Sequence, residues 1–337
     1  MTTQAPAVAT LRLLGGFQVS QALYVAARAG VADRLLDGPV ELGVLADSVG
    51  LRPDPLRRIL RVLGSEDVFA FDQQQDVVAL GPLGHTLVTG GADSVRSIAL
   101  AWMETHYAPF AELWGTATTG VPAAELAFGR PFFDWLGQDS ARTATFTAAM
   151  ADFTLAVRQH AFSRVELDGV GTVVDVGGAD GTVLAGLAER YPAVRGVVFD
   201  LPHVVRGAEA VVRARGVGDR ISVVGGDFFV EVPSGDCYLA CFVLHDWSDE
   251  QAARILARIR EAAAVADARL VLVETVLDVG PAPQVAQLLD LTMLGLVAGR
   301  ERTTGDWRRL LAGSGFRLER VRATEGPMCV IEARRLP

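Results

Sequence analysis

Seven residues between positions 177 and 301 have the types and places needed for proton-transfer and nucleotide chemistry. His245 follows an apolar run in "CYLACFVLHDWSDEQ" and is flanked by Asp246 and Trp247. Imidazole is the side chain best poised to take a proton near neutral pH. Glu274 closes the apolar run "LVLVET", and Glu301 sits in "AGRERT" after an apolar helix. A carboxylate beside a histidine fixes its tautomer and favours the imidazolium formed by proton uptake. Gly177 lies in "VVDVGGADGTVL", where glycines let the backbone turn sharply and approach a ligand. Asp200 in "VVFDLPH" suits the ribose hydroxyls of an adenosine cofactor, and Asp227 with Phe228 in "GGDFF" suits hydrogen bonding and stacking on adenine. Taken singly, each aspartate is as readily a helix cap or a loop acid.

These residues need elements to hold them. From about residue 170, strand-like runs ("GTVVDVG", "RGVVFD", "ISVVGGD", "CYLACFVLH", "RLVLVET") alternate with helices expected over 181–190, 203–215, 249–264 and 284–297. Such alternation implies a parallel, doubly wound sheet. The residues above then end successive strands at one edge, with His245 closing the fourth. "FRLERVRAT" and "MCVIEARR" look like an antiparallel closing hairpin. "SDEQ" offers Ser248 as N-cap and Gln251 as the partner of a capping box.

The first part of the chain reads differently. Helical periodicity runs through "LRLLGGFQVSQALYVAARAGVADRLL", broken at Gly15-Gly16. "ELGVLADSVGLRPDPLRRILRVLGSEDVF" reads helix, turn, helix, and "VFAFDQQQDVVALGPLGHTLV" reads as two short strands. The pattern suggests a winged helix, a motif that often binds DNA. Residues 40–90, however, hold four arginines against seven acids, and the whole chain carries a net charge of −9. That is a poor phosphate-binding surface, and it argues against nucleic acid or an anionic membrane as partner. Dimerisation is the expected role of this apolar segment. Residues 98–165 are helical, with Trp102, His106 and Phe110 at i+4 steps and Phe146, Met150 and Phe153 on one face. These serve as core, or as a wall for a flat apolar ligand.

Composition removes further classes. All 31 basic residues are arginine, which excludes P-loop, Schiff-base and pyridoxal lysines. Cys237, Cys241 and Cys329 form neither a disulfide framework nor a zinc motif, and no metal-ligand spacing is visible. No stretch of 18 apolar residues marks a transmembrane helix. "MTTQAPAVATLRLLGG" lacks a secretory pattern, so cytoplasm is the expected compartment.

The motifs "VVDVGGADGTVLAGLAERYP", "VVFDLPHVV", "VVGGDFF", "VLHDWSDEQAARIL" and "GRERTTGDWRRLLAGSGF" occur in order, and with them the chain resembles, end to end, the class I S-adenosylmethionine-dependent O-methyltransferases of the plant caffeate/flavonoid type, in their bacterial natural-product branch. The resemblance implies an α/β fold: a C-terminal Rossmann-like methyltransferase sheet with its closing hairpin, and a mainly helical, winged-helix-like dimerisation domain. The expected division is 1–95 for dimerisation, 96–165 for a helical linker reaching the substrate pocket, and 166–337 for the cofactor-binding catalytic domain.

By resemblance, Gly177, Asp200, Leu201, Asp227, Phe228 and Cys241 bind S-adenosyl-L-methionine. His245 is the catalytic base, flanked by Glu274 and Glu301. Trp102, Phe146, Met150, Asp290 and Met293 line the acceptor pocket, and each subunit of a homodimer contributes to its partner's. Ala179 replaces a glycine, and Cys241 a lysine, found in many members. The implied reaction is metal-independent methylation of a phenolic hydroxyl on an aromatic small molecule. The alternatives are an N-methyltransferase or a cofactor-dependent decarboxylase or hydroxylase on the same scaffold, and, in another class, a winged-helix ligand-sensing regulator.

Overall fold

A computed structural model describes residues 5–154 and 159–337. The expected N-terminal domain and helical linker therefore each lie partly outside the described residues, the linker at 155–158. The chain divides into two compact units, Met1–Leu113 with Ala124–Ala156, and Trp114–Ala123 with Val157–Pro337.

In the first unit, Gly15 ends the helix Pro6–Leu14 and begins the helix Gly16–Ala29. The expected helix–turn–helix is Leu42–Ser48 followed by Pro53–Gly64. Glu41 caps the first of these by accepting from the backbone N–H of Gly43 and Val44, and Pro53 sits where a helix needs no N–H. Strands β1 (Val40–Glu41), β2 (Phe69–Asp72) and β3 (Val77–Leu80) form an antiparallel sheet in the order β1-β3-β2. The sequence showed only β2 and β3; two residues carry no alternation to read. Leu42, Leu45, Leu56, Leu60 and Leu63 are fully buried against Ala26, Phe69 and Val78. Arg57 on the second helix is paired with Asp76, and Arg61 with Gln73, so two of its arginines are already engaged.

The second unit is built on a seven-stranded sheet in the order β6-β5-β4-β7-β8-β10-β9. Its strands are β4 (Thr172–Val176), β5 (Arg195–Asp200), β6 (Ile221–Gly225), β7 (Cys237–Cys241), β8 (Arg269–Thr275), β9 (Phe316–Ala323) and β10 (Met328–Arg335). Strands β4 to β8 are parallel, and β10 runs antiparallel to both β8 and β9. The helices Thr182–Arg190, Ala208–Ala214, Asp249–Ala262 and Pro283–Leu296 lie within two residues of expectation, except that the second begins as a 3-10 turn at Val205, and a further helix, Thr304–Gly313, precedes β9. The capping box of Ser248 and Gln251 is formed. Ile255, Leu256 and Ile259 from that helix are fully buried with Leu270, Leu272 and Ile331 of the sheet, each worth about 1.5–3 kcal/mol. None of the three cysteines forms a disulfide.

The strand order reverses at β4, with β5 and β6 on one side and β7 and β8 on the other. Open α/β sheets bind ligands at the carboxyl ends of the strands flanking such a switch.

Candidate active site

At the end of β4 the chain turns through Gly177 (φ +75°) and Ala179 (φ +47°) into the helix beginning at Thr182. A Cβ on Gly177 would lie 2.6 Å from Val243, which follows β7, so both backbone and space demand glycine there. Ala179 takes a left-handed conformation that glycine would adopt freely, at a cost of about 1–2 kcal/mol. Its N–H donates to Asp200 Oδ2 (3.1 Å), while Asp200 Oδ1 accepts from Leu201 N–H (2.7 Å). Asp200 thus ties the glycine turn to the end of β5. Burial raises its pKa, and these two amides oppose the rise.

Asp227 is exposed just beyond β6, and its carboxylate accepts from Phe229 N–H. Half-buried Phe228 meets Trp247 edge-on at 5.9 Å. Leu201 is exposed, and Cys241 ends β7 half-buried. Sequence reasoning passed over Asp175, which lies within β4. It is buried, its Oδ2 has no hydrogen-bond partner, and burial together with Asp200 and Asp180 raises its pKa to about 7.

His245 does not end a strand. Strand β7 stops at Cys241, Phe242 turns with φ +60°, and a single 3-10 turn, Leu244–Asp246, carries the histidine. The cause is Glu274, whose Oε1 accepts from the N–H groups of both Val243 (3.1 Å) and Leu244 (2.9 Å). The carboxylate thereby supplies the partner that a continuing strand would have found in a neighbour. Glu274 is fully buried, and burial raises its pKa to about 7 against the opposing effects of His245 and the two amides.

The carboxylate that meets the imidazole is Glu301, with Oε1 2.7 Å from Nδ1. Asp246 Oδ1 lies 3.4 Å from Nε2. Burial alone would lower the pKa of His245, but Glu301, Asp246 and Glu274 together raise it to about 9.

Sequence reasoning missed the clamp around this turn. Arg302 is completely buried, and its guanidinium donates to Leu244 O (2.7 Å), Trp247 O (2.9 Å) and Asp249 (2.8 Å). Arg300 N–H donates to His245 O, and a Cβ on Gly299 would fall 2.0 Å from that same oxygen. Asp290, expected to line an acceptor pocket, accepts from Glu301 N–H at 2.8 Å and so holds the carboxylate in place. Met293 is buried on the same helix. The odd pairing of glycine, glutamate and arginine in "GRERT" was the available signal.

His245, Glu274 and Glu301 bring potential ligand atoms within 4.8 Å of one another. Three of their atoms are already engaged, Nδ1 and Glu301 Oε1 with each other and Glu274 Oε1 with the two backbone amides of the turn, while the second oxygen of each glutamate is buried without a hydrogen-bond partner.

Among the remaining expected residues, Trp102 and Phe146 of the first unit both pack on His106, at 5.8 and 6.5 Å between ring centres. Met150 is half-buried one helical turn from Phe146.

A doubly wound sheet with acids at its switch-point edge and a clamped histidine beside them defines an α/β enzyme that uses an adenosine cofactor. Residues 115–317 match the O-methyltransferase domain, and residues 11–90 the O-methyltransferase dimerisation domain. The chain belongs to that O-methyltransferase family, and S-adenosyl-L-methionine is its cofactor. It is 37% identical to the phenazine O-methyltransferase PhzM of Lysobacter antibioticus, over 96% of this chain and 95% of that protein. It is 33% identical to the 8-amino-8-demethylriboflavin N,N-dimethyltransferase of Streptomyces davaonensis, over 94% and 92%. The SAH-bound form of CalO1, a methyltransferase of calicheamicin biosynthesis, superposes with a TM-score of 0.87 at 29% identity, covering 100% of this chain and 99% of that one. Relatives of this chain thus methylate both oxygen and nitrogen.

No helix among the described residues is long and apolar enough to cross a membrane.

Proposed function

We propose that the chain transfers a methyl group from S-adenosyl-L-methionine to a phenolic hydroxyl of an aromatic secondary metabolite, with His245 as general base. The observation that carries this reading is the buried contact of Glu301 with Nδ1 at 2.7 Å. It keeps the proton of neutral imidazole on Nδ1 and leaves Nε2 as the lone pair that takes a proton.

The residues fit the cofactor. Gly177 supplies a turn that a Cβ would fill, Asp200 beside Leu201 ends β5 with a carboxylate for the ribose, and in this reading Asp227, Phe228 and Cys241 are the residues that would meet the adenine. When bound, the cofactor brings an electrophilic methyl on a positively charged sulfur. The chain's own residues do the rest. A phenol has a pKa of about 10. A base raised to about 9 by its acidic neighbours therefore accepts the phenolic proton with little penalty. Glu301 balances the imidazolium that results, while Glu274 and Arg302 hold the turn that aims it. Alignment of acceptor oxygen and methyl supplies about 7–11 kcal/mol of the barrier reduction, and the base about 10²–10⁴-fold.

Trp102, Phe146, Met150 and Met293 are the side chains proposed to contact the acceptor in this reading. Assembly is a homodimer through residues 1–100, supported by the exposed Leu11, Leu13, Leu14 and Phe17. Light scattering that finds only monomer at micromolar concentration contradicts the dimer.

The test of the reaction is incubation with methyl-labelled cofactor and a panel of phenolic natural-product cores, with products located by mass spectrometry and NMR. A methyl ether is expected. Methylation confined to nitrogen would select the second reading, amine methylation, which the 33% identity to the riboflavin-type dimethyltransferase favours.

A further inference from the structure

A base that takes a proton has to lose it before the next turnover, and His245 is badly placed to do so alone. Its side chain is only 3% exposed, and the ring of Phe242 lies against it, 3.9 Å between centres. Among the described residues, two acids come within 4 Å of the imidazole, one at each nitrogen. They lead to different places. Glu301 meets Nδ1 at 2.7 Å, is itself 0% exposed and buries its second oxygen as well, so a proton passed that way stays in the interior. Asp246 Oδ1 lies 3.4 Å from Nε2, and that side chain is 29% exposed.

The backbone of Asp246 is fixed. It closes the 3-10 turn, and its N–H donates to Val243 O at 3.2 Å. A Cβ on Gly299 would fall 2.7 Å from its Cα, so that strand of chain presses on it from the other side. The carboxylate therefore stands between a buried nitrogen and solvent.

We propose that Asp246 is the proton exit of the site: its carboxylate takes the proton from Nε2 of the His245 imidazolium and passes it to water. This rests on the reading of His245 as general base, in which the phenolic proton ends on Nε2. The exit step breaks Nε2–H and forms Oδ1–H, with the electron pair left on nitrogen. The carboxylic acid then loses its proton to water, and both groups are back in the state that starts a turnover. The first transfer is uphill, since a carboxylic acid ordinarily titrates at about 4 and imidazolium at about 6.5. The acid is short-lived, however, because solvent reaches it and drains the proton away. An imidazolium with a pKa of about 9, shut off from solvent, has more need of such a path than an ordinary one.

The test follows the proton itself and needs no acceptor. The protein is labelled with nitrogen-15 histidine and kept at pH 7. The His245 signals are assigned by their loss in His245→Gln, and the exchange of each N–H with water is measured by NMR saturation transfer. Nε2–H should exchange at least about tenfold faster than Nδ1–H. Asp246→Asn should slow Nε2–H about tenfold and leave Nδ1–H unchanged, whereas Asp246→Glu, which keeps the carboxylate, should retain most of the wild-type rate. The sign separates a relay from a purely electrostatic role. Removing a negative neighbour makes an imidazolium more acidic, which by itself speeds the loss of its proton.

Equal exchange at the two nitrogens of the wild-type chain overturns the proposal. So does an Nε2–H rate that Asp246→Asn leaves unchanged or raises, or a slowing that is the same in the Asn and Glu variants. Should Asp246→Asn fail to fold, the wild-type ratio of the two exchange rates decides. Near wild-type methylation by His245→Gln would instead sink the reading of His245 as base and leave the exchange path standing.

Discussion

Nδ1 of His245 and Oε1 of Glu301 sit 2.7 Å apart, both buried, although 56 residues of chain separate them. Each is held from behind. The histidine turn is gripped by Arg302 and capped by Glu274, and the glutamate backbone is anchored by Asp290. Such a pair orients a base and also raises its proton affinity, and the two effects can be measured apart.

Orientation is tested by His245→Gln, which preserves size and removes the proton acceptor. Cofactor affinity should be unchanged and kcat should fall by at least ~10²-fold. A near wild-type rate at pH 7 would make the histidine structural. Glu274→Gln should lose less, because the amide oxygen can still cap the turn.

Proton affinity is read from a pH profile. Only neutral His245 can accept a proton, and with a pKa of about 9 the free chain at pH 7 is mostly imidazolium. The value of kcat/KM should therefore rise about tenfold per pH unit and level off near pH 9. Removing the negative charge in Glu301→Gln should move the inflection toward ordinary histidine values, near 6.5. An inflection that stays put in the variant belongs to the phenol instead.

The clamp is tested by Arg302→Met. Loss of the guanidinium leaves the carbonyls of Leu244 and Trp247 unpaired, at roughly 1–3 kcal/mol each. Thermal stability and kcat should both drop, with cofactor affinity changed least. Gly299→Ala should damage kcat in the same way, since its Cβ would push on His245 O. Undiminished kcat in both variants would show that the turn holds without them.

Asp175 gives a stability prediction with a definite sign. Its folded-state pKa of about 7 lies above the ordinary carboxylate value, so the fold binds this proton more tightly than the unfolded chain does. The stability it contributes is complete at low pH and is lost as pH rises through 7. In the cofactor-free chain, Asp175→Asn should raise Tm, by an amount that grows from pH 4 to 7 and then stays level. A gain independent of pH would show that ionisation is not its source.

Metal independence is tested with EDTA. His245 Nδ1 and one oxygen each of Glu274 and Glu301 are engaged with one another and with the turn, and base-assisted methyl transfer needs no metal, so chelation should leave activity intact. Loss on chelation with recovery in magnesium would reassign the cluster.

Regular features were readable in the sequence because they rest on local rules. The glycine turn, the acids at the ends of β5 and beyond β6, the alternation of strand and helix and the capping box at Ser248 each occupy a few neighbouring residues. The turn carrying His245 was read as strand because Phe242, an apolar non-glycine residue, gives no sign of a left-handed backbone. The parts played by Glu274, Asp290 and Arg302 depend on contacts 30, 11 and 58 residues away along the chain, which no periodicity encodes.

Strand β10 enters the sheet between β8 and β9, and its Cys329 lies opposite Glu274. During synthesis, the strand that carries Glu274 is therefore made more than fifty residues before the neighbour that closes its open side. A nascent chain halted short of Met328 exposes β8 as an unpaired, wholly apolar edge for most of its length, the kind of surface that chaperones and aggregates seize. Ribosomal release of β10 is thus the event that finishes the floor under the base, and products of early termination should be insoluble rather than partly active.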